Sequence, residues 1–366
     1  MRPWSSWGCS SSVGRTPNKE GLGARPTAWV CWLTRLLMPM LSNREDVFTV
    51  AEIVGGFATS HSSQLSVPVE MWSEIAVRDR SNPTLDFAAQ ELLSGTAMQP
   101  ELLEDVLSAK HKACQQAITQ LGDYVDSLDP DVVLIVGDDQ RELFLADLIP
   151  AFAVFIGDEL YDLPRSMEGM DRPKRAAEWA FHGRMPTTWP ASPSLGRHIA
   201  EVATESGFDI ACSQRQLEGR SIGHAFTFVG RRIMLERKIP MLPIFVNIYE
   251  PNRPTPQRCL EFGRSIRRAI ESWDSDARVL VAGSGGLTHW VIDADFDRSF
   301  LGLLESDPAG LGRLPAERFT HGTAEMLNWI TAAGILEGRP AKVVDYVPAY
   351  RSAAATGCGM GFVQWD

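Results

Sequence analysis

The feature that most constrains the fold is a series of continuous apolar runs, each ending in a cluster of small and polar residues. The clearest run is D-V-V-L-I-V-G at 131–137, which is followed by D-D-Q. A run without polar alternation is typical of a strand buried on both faces of a sheet. The runs at 51–58 and 279–282 have the same character, and they lead into T-S-H-S-S and G-S-G-G-L-T-H.

Stretches with apolar residues at helical spacing lie between these predicted strands. The longest is 100–121, and further helices are predicted at 195–206, 225–236, 256–273 and 323–333. Further strands are predicted at 151–156, 208–211 and 241–248. Strands that alternate with helices favour an α/β fold, here a single large domain whose mainly parallel central sheet is covered by helices. In such folds ligands bind outside the carboxyl ends of the strands, so we expect the active site there.

Residues 1–46 differ from the rest of the chain, because they are rich in Ser, Gly, Arg and Trp. Their apolar stretch at 29–41 is too short to span a membrane and is interrupted by Arg35. We interpret this segment as a disordered or mis-called N-terminal extension; a targeting segment and a structural element remain open. The catalytic domain is predicted at 47–366, since no later linker is rich enough in Pro, Gly or Ser to separate two domains.

Charge and cysteine content bear on partners and location. Lys plus Arg is 35 and Asp plus Glu is 46, a net charge of -11, which argues against binding to nucleic acid or acidic membranes. The six cysteines contain no C-x-x-C pair, so we expect free thiols in a cytoplasmic protein. A few arginines could still bind an anionic substrate; for Arg141, Arg231 and Arg232 a surface position is the more common role.

The loops after the predicted strands carry the candidate functional residues. His61 follows the first strand, Asp138 and Asp139 follow the run at 131–137, and His289 follows a glycine-rich turn. Paired carboxylates can hold a hard cation. Each residue also has a plainer explanation: a solvated or buried histidine, acids that cap a loop, and a turn that needs glycine.

Two further candidates lie at predicted helix starts. Glu325 suits the positive end of a helix dipole, and the same carboxylate could bind a metal. His224 is either a helix-start residue or a donor in a site. The chain contains no P-loop, no G-x-S-x-G elbow and no H-E-x-x-H motif. One metal held by histidine and carboxylate would unite the scattered candidates, because two histidines and a carboxylate leave open positions on Fe(II).

The order of the motifs resembles that of a known family. G-G-F-A-T-S-H, G-D-D-Q, G-H-A-F-T, G-S-G-G-L-T-H-W, F-D-R-S-F-L and H-G-T-A-E-M-L-N-W follow one another across about residues 51–362. Together they are similar to the catalytic subunits of class III extradiol ring-cleavage dioxygenases, which include protocatechuate 4,5-dioxygenase and methylgallate dioxygenase. The resemblance implies a mononuclear Fe(II) enzyme that uses O₂ to open an aromatic ring bearing adjacent hydroxyls.

The resemblance also implies residue roles. His61 and Glu325 match metal ligands, His289 matches the catalytic acid–base, and His224 matches a histidine of the substrate pocket. Gln140 stands where the family has its second metal histidine, and an amide oxygen is a weaker donor than imidazole. We therefore predict a metal site of His61, Gln140 and Glu325.

Two departures from the family pattern keep other functions open. Besides Gln140, Gly223 precedes the pocket histidine where the family has Asp. We expect a catechol-, gallate- or dihydroxypyridine-type substrate and O₂ as partners, and a homo-oligomer or pairing with a small helical subunit. The alternatives are a metal-dependent hydrolase or lyase on the same scaffold, and a non-catalytic relative with a weakened metal site.

Overall fold

The computed structural model describes residues 49–366, so the predicted extension at 1–46 lies outside the described residues. The strands are β1 (Glu52–Thr59), β2 (Val132–Gly137), β3 (Phe152–Phe155), β4 (Glu159–Asp162), β5 (Thr187–Pro190), β6 (Ala211–Ser213), β7 (Met241–Val246), β8 (Arg278–Ser284), β9 (Ala341–Tyr350) and β10 (Gly357–Trp365). The α-helices are α1 (Trp72–Arg80), α2 (Phe87–Met98), α3 (Glu104–Leu128), α4 (Arg172–Phe181), α5 (Pro193–Glu205), α6 (His224–Phe228), α7 (Pro256–Ser272), α8 (Ala294–Ser306) and α9 (Met326–Ile335).

Eight of the strands form one mixed sheet in the order β6-β3-β7-β2-β8-β1-β10-β9, and β4 pairs with β5 in a separate ribbon. The centre of the sheet, from β7 through β2 and β8 to β1, is parallel, as is the pair of β3 and β6. β3 is antiparallel to β7, and β10 is antiparallel to both β1 and β9. The predicted α/β fold with a mainly parallel central sheet is confirmed.

The central strand β2 shows why this sequence requires cover on both faces. All six of its residues are buried. Val132, Leu134 and Val136 pack in one apolar cluster with α5, α7 and α9. Val133 and Ile135 pack in a second cluster with α3 and α6 on the opposite face. Because side chains alternate along a strand, a run without polar residues can be stable only between two layers of helices.

Several elements differ from the sequence prediction. The helix predicted at 100–121 begins as a 3-10 turn over Pro100–Leu102 and continues as α3 to Leu128. The helix predicted at 225–236 is α6 followed by a π-helical turn over Val229–Ile233. The edge hairpin of β9 and β10 was not predicted, because the glycines in G-C-G-M-G-F-V-Q-W are more typical of a loop than of a strand.

The expected surface role of Arg231 and Arg232 is wrong. Both side chains lie on the π-helical turn and are buried. Arg231 binds the carboxylate of Asp162, and Arg232 donates to the carbonyl oxygen of Leu65. Bound donors of this kind are what allows a guanidinium to be buried. Within residues 49–366, no helix is long and apolar enough to cross a membrane.

Candidate active site

The order of the strands brings the candidate loops together. β2, β8 and β1 are neighbours and parallel, so their carboxyl ends meet at one edge of the sheet. His61 follows β1, Asp138 follows β2, and the turn that leads to His289 follows β8. The three loops that carry these candidate residues therefore lie next to one another at the edge of the sheet where we expected the active site.

His61 is buried and is oriented through its Nδ1 atom. Nδ1 lies 3.0 Å from the hydroxyl oxygen of Ser284, and that hydroxyl donates its own hydrogen to the carbonyl of Ala225 at 2.6 Å. The hydroxyl oxygen must therefore accept the Nδ1 proton, and neutral His61 presents the lone pair of Nε2. Nε2 lies 3.2 Å from a carboxylate oxygen of Glu325 and makes no hydrogen bond within residues 49–366.

Glu325 lies opposite His61 and is held by the turn after β8. Its Oε2 accepts a hydrogen bond from the backbone N–H of Gly286 at 2.6 Å. Burial opposes ionisation, but the nearby His289 and His61 outweigh it and hold the pKa of Glu325 well below its ordinary value. In return, although burial alone would lower it, Glu325 raises the pKa of His61. The protonation of each side chain thus depends on the charge of the other.

Asp138 completes the cluster. Its Oδ1 accepts a hydrogen bond from the amide of Asn328 at 2.9 Å, whereas its Oδ2 is buried and has no partner among the described residues. Burial and the neighbouring charge of Glu325 raise the pKa of Asp138 to about 6. His61, Asp138 and Glu325 each offer one ligand atom, and these atoms lie within 4.8 Å of one another.

These three side chains fit a divalent cation. Two atoms of these side chains, His61 Nε2 and Asp138 Oδ2, are buried and have no hydrogen bond within residues 49–366, an arrangement that a bound cation would satisfy. Imidazole and carboxylate are donors suited to Fe(II) and to similar first-row ions. Ser284 and Asn328 hydrogen-bond to His61 and Asp138, as outer residues do around the ligands of metal sites.

His289 lies beside this cluster. Its Nδ1 donates to the carbonyl of Leu287 at 2.8 Å, and its Nε2 lies 3.4 Å from Glu325 Oε1. Burial alone would lower the pKa of His289, but Cys358 and Glu325 raise it well above its ordinary value. A Cβ atom at Gly286 would lie 2.8 Å from the ring, so glycine there leaves the space that His289 occupies.

Asp297 of α8 holds the loop that carries His289 through hydrogen bonds to Thr288. This buried carboxylate accepts hydrogen bonds at 2.9 Å from both the backbone N–H and the hydroxyl of Thr288. It also accepts a bond from the hydroxyl of Tyr346 at 2.8 Å. Burial raises the pKa of Asp297 to about 6 despite these bonds. Since Thr288 precedes His289, this network sets the position of the histidine.

His224 is the first residue of α6 and lies next to His61. Its ring centroid lies 4.9 Å from that of His61 and 5.1 Å from that of Phe181. Its Nδ1 lies 2.9 Å from the carboxylate of Glu142, and no hydrogen bond joins its Nε2 to any residue of 49–366. This arrangement leaves Nε2 available to a bound molecule.

A cavity of about 320 Å³ opens over the cluster, within the range of pockets that hold small ligands. All five predicted site residues line it: His61, Gln140, His224, His289 and Glu325. Four basic side chains also line it: Arg78, Arg165, Lys174 and Arg351. One cavity thus unites the candidates that the sequence left scattered.

The chain matches, over residues 97–361, the family described as the catalytic LigB subunit of aromatic ring-opening dioxygenase. The protein belongs to this family. The resemblance inferred from the motifs is therefore confirmed.

Curated relatives agree with this membership. Over 185 residues the chain is 29% identical to a 2,3-dihydroxyphenylpropionate/2,3-dihydroxicinnamic acid 1,2-dioxygenase of Photorhabdus laumondii, covering 50% of each protein. Over 158 residues it is 29% identical to a gallate dioxygenase of Pseudomonas putida, covering 39% of this chain and 45% of the relative. The chain thus spans about half the length of the curated relatives it matches. A solved structure of an uncharacterized Escherichia coli K12 protein aligns with a TM-score of 0.41 and 14% identity, over 68% of this chain and 91% of that one.

Against this family background, Gln140 has a defined place. Its amide nitrogen donates to Glu325 Oε1 at 2.9 Å, so it lies beside the cluster and holds one of its carboxylates. Asp139, which also follows β2, accepts backbone N–H bonds from Leu143 and Phe144 at 2.9 and 3.0 Å. Asp139 thus caps its own loop, and Asp138 is the acid that joins His61 and Glu325 in the cluster.

Two charged residues near the site had no predicted role. Glu142 lies two residues after Gln140 and contacts both His224 and His182. His182 is completely buried between Glu142 and Asp162. The usable sequence signal for Glu142 was its place in the strand-end loop that already contained three candidates, Asp138, Asp139 and Gln140.

Proposed function

We propose that this protein is an Fe(II)-dependent extradiol dioxygenase, which opens a catechol-, gallate- or dihydroxypyridine-type ring and inserts both atoms of O₂. The observation that carries the proposal is the buried cluster of His61, Asp138 and Glu325, in which two atoms have no partner among the described residues, next to a cavity lined by His224 and His289. Family membership supports the same reaction class. The relatives' names, a gallate dioxygenase and a 2,3-dihydroxyphenylpropionate dioxygenase, both refer to aromatic substrates with adjacent hydroxyls.

We propose that His61, Glu325 and Asp138 hold the metal. Gln140, which the sequence placed in the ligand set, would instead steady Glu325 through its amide nitrogen. Fe(II) bound there would supply the redox chemistry that lets an aromatic diol react with O₂. Three protein ligands would leave coordination positions open to small molecules.

His289 is proposed to take and return a substrate hydroxyl proton. Its Nδ1 is committed to the carbonyl of Leu287, so Nε2 is the atom that exchanges the proton. The pKa of His289 is raised partly by Glu325. A cation on that carboxylate would offset its charge and so favour the neutral, basic form of the imidazole.

His224 is proposed to hydrogen-bond the substrate through Nε2. Phe181, whose ring lies 5.1 Å from the ring of His224, offers an apolar surface to an aromatic substrate. The proposed partners are thus a small aromatic diol and O₂. Oligomerisation or pairing with a small helical subunit, the cytoplasmic location and the domain boundary at 47–366 stay predictions.

The test is oxygen uptake by protein that has been reconstituted anaerobically with Fe(II) and then offered catechols, gallates and dihydroxypyridines. We expect O₂ consumption together with a coloured ring-fission product. Turnover without O₂ would support a hydrolase or lyase instead. Protein that binds no iron would indicate a non-catalytic relative with a weakened metal site.

The role of His289 has its own test. His289→Phe should lower kcat by roughly 10²- to 10⁴-fold, the usual contribution of a general acid–base, while Fe(II) affinity changes little. The matched control is His198→Phe on α5, a histidine that bonds Ser272 and does not line the cavity. Normal turnover by His289→Phe would refute the assignment.

A further inference from the structure

We propose that Glu142 is a positioning residue that holds His224 in the tautomer with the proton on Nδ1, so that Nε2 stays unprotonated and can accept a hydrogen bond. The role of His224 toward substrate rests on the proposed function, but the orientation of its ring does not. No sequence pattern or family match assigns Glu142 this task.

The contacts between the two residues are direct. His224 Nδ1 lies 2.9 and 3.0 Å from the two carboxylate oxygens of Glu142. The backbone N–H of His224 also donates to Glu142 Oε2 at 3.0 Å. A carboxylate can only accept, so the ring nitrogen that faces it must carry the hydrogen. One side chain thus fixes both the backbone and the ring of His224.

A second histidine holds Glu142 from the other side. His182 is completely buried, and its Nε2 lies 3.1 Å from Glu142 Oε1 while its Nδ1 lies 2.9 Å from Asp162 Oδ1. Each nitrogen faces a carboxylate oxygen, so each is placed to donate a hydrogen. Arg165 adds a further cationic contact to Glu142 at 3.4 Å. Glu142 therefore lies among donors that favour a fixed carboxylate.

The network continues away from the cavity. Asp162 also binds the guanidinium of Arg231, which in turn binds the exposed Glu236 at 2.7 Å. A buried carboxylate whose partners are themselves held by further partners has little freedom to move. The orientation of His224 is thus supported by the ribbon strand β4 and by the π-helical turn after α6.

Gly223 makes the contact possible. A Cβ atom at this position would lie 2.8 Å from Glu142 Oε2 and 3.5 Å from Asp139 Oδ1. A larger residue would displace the Glu142 carboxylate, and an acidic residue would also repel it. Glu142 can therefore contact His224 in this position only because residue 223 is a glycine.

The two histidines that line the cavity are therefore held in the same way, through Nδ1 of each ring. His289 is tied through Nδ1 to the carbonyl of Leu287, and His224 is tied through Nδ1 to Glu142. Both residues line the same cavity, and in each ring Nδ1 is the nitrogen bound to the protein. Preorganised groups of this kind promote a reaction because they need no reorientation when substrate arrives.

The first test reads the tautomer directly. Metal-free protein labelled with ¹⁵N-histidine should show His224 as a single Nδ1–H tautomer, with the resonance assigned by its loss in His224→Phe. Glu142→Gln and Gly223→Ala should each produce a mixture of tautomers. Glu178→Gln is the matched control, because Glu178 is buried and contacts Arg165 at 3.5 Å but does not bond His224. A native Nε2–H tautomer, or a spectrum unchanged in Glu142→Gln, would overturn the proposal.

The second test is a kinetic double-mutant cycle in the iron-loaded enzyme. Glu142→Gln should lower kcat/KM about 10- to 100-fold, as losses of ligand-orienting groups do, and should lower it no further in a His224→Phe background. Additive losses would show that Glu142 acts elsewhere. If no diol is cleaved at all, the proposed function fails, and the tautomer measurement alone still decides the role of Glu142.

Discussion

Asp79 and Asp138 are both completely buried aspartates, yet their carboxylates have different partners. Both oxygens of Asp79 accept bonds from the guanidinium of Arg351, at 2.7 and 2.8 Å. Arg351 also donates to the side chain of Gln64 at 2.7 Å. Asp138 accepts one bond, from Asn328, and leaves Oδ2 unpartnered within the described part of the chain.

This difference separates a carboxylate with a structural role from the one that we propose as a metal ligand. The Asp79–Arg351 pair joins α1 to the segment after β9, and its bidentate geometry satisfies the charges that it buries. Asp138 keeps a buried oxygen free, and burial raises its pKa to about 6. Unsatisfied buried groups with shifted pKa values concentrate at functional sites.

Removing the satisfied carboxylate should have the largest effect. Asp79→Ala leaves the buried guanidinium of Arg351 without its counter-charge, so the free energy of unfolding should fall by roughly 3–5 kcal/mol. Urea unfolding followed by circular dichroism measures this loss. The double variant Asp79→Ala/Arg351→Met should be less destabilised than Asp79→Ala alone. A loss below about 1 kcal/mol for Asp79→Ala would contradict the structural role.

Changing the unsatisfied carboxylate should spare the fold and weaken the metal site. Asp138→Asn keeps an oxygen for the Asn328 bond and removes an unpaired buried charge, so the metal-free protein should be at least as stable as the native one. Affinity for Mn²⁺, measured by calorimetric titration, should fall by about 10- to 100-fold. Unchanged Mn²⁺ affinity would remove Asp138 from the proposed ligand set.

Removing one hydrogen bond from the network around Asp297 should lower the free energy of unfolding by an intermediate amount. Tyr346→Phe deletes the hydroxyl that bonds the buried Asp297 at 2.8 Å, and stability should fall by about 1–2 kcal/mol. Thermal unfolding measures the change. Tyr161→Phe is the matched control, because this exposed hydroxyl lies 3.5 Å from Glu159 and should contribute nothing measurable. Equal losses in both variants would mean that burial does not govern the effect.

Breaking an ion pair at the surface should lower the free energy of unfolding least. Arg267 and Glu271 form a pair four residues apart on α7 at 2.7 Å, largely in contact with solvent. Arg267→Gln should cost about 0.3–0.5 kcal/mol, and high salt should abolish the difference. A cost comparable to that of Asp79→Ala would show that geometry matters more than burial.

Much of the fold could be predicted from the sequence because strong periodic patterns dominate it. The runs that became β1, β2 and β8 contain almost no polar residue, so only a doubly covered sheet could bury them. The hairpin of β9 and β10 was not predicted, because the glycines of β10 are typical of a loop. Its pairing with β1 joins segments about 300 residues apart, which no local pattern reports.

The sequence by itself determined the α/β class, the strand-end location of the candidate residues and the family. Only the tertiary structure decided which side chains meet. Asp138 and Asp139 are adjacent and chemically identical, yet Asp139 caps its own loop while Asp138 faces His61 and Glu325. Successive residues at a strand end point in different directions, and the partners that each one meets come from distant parts of the chain.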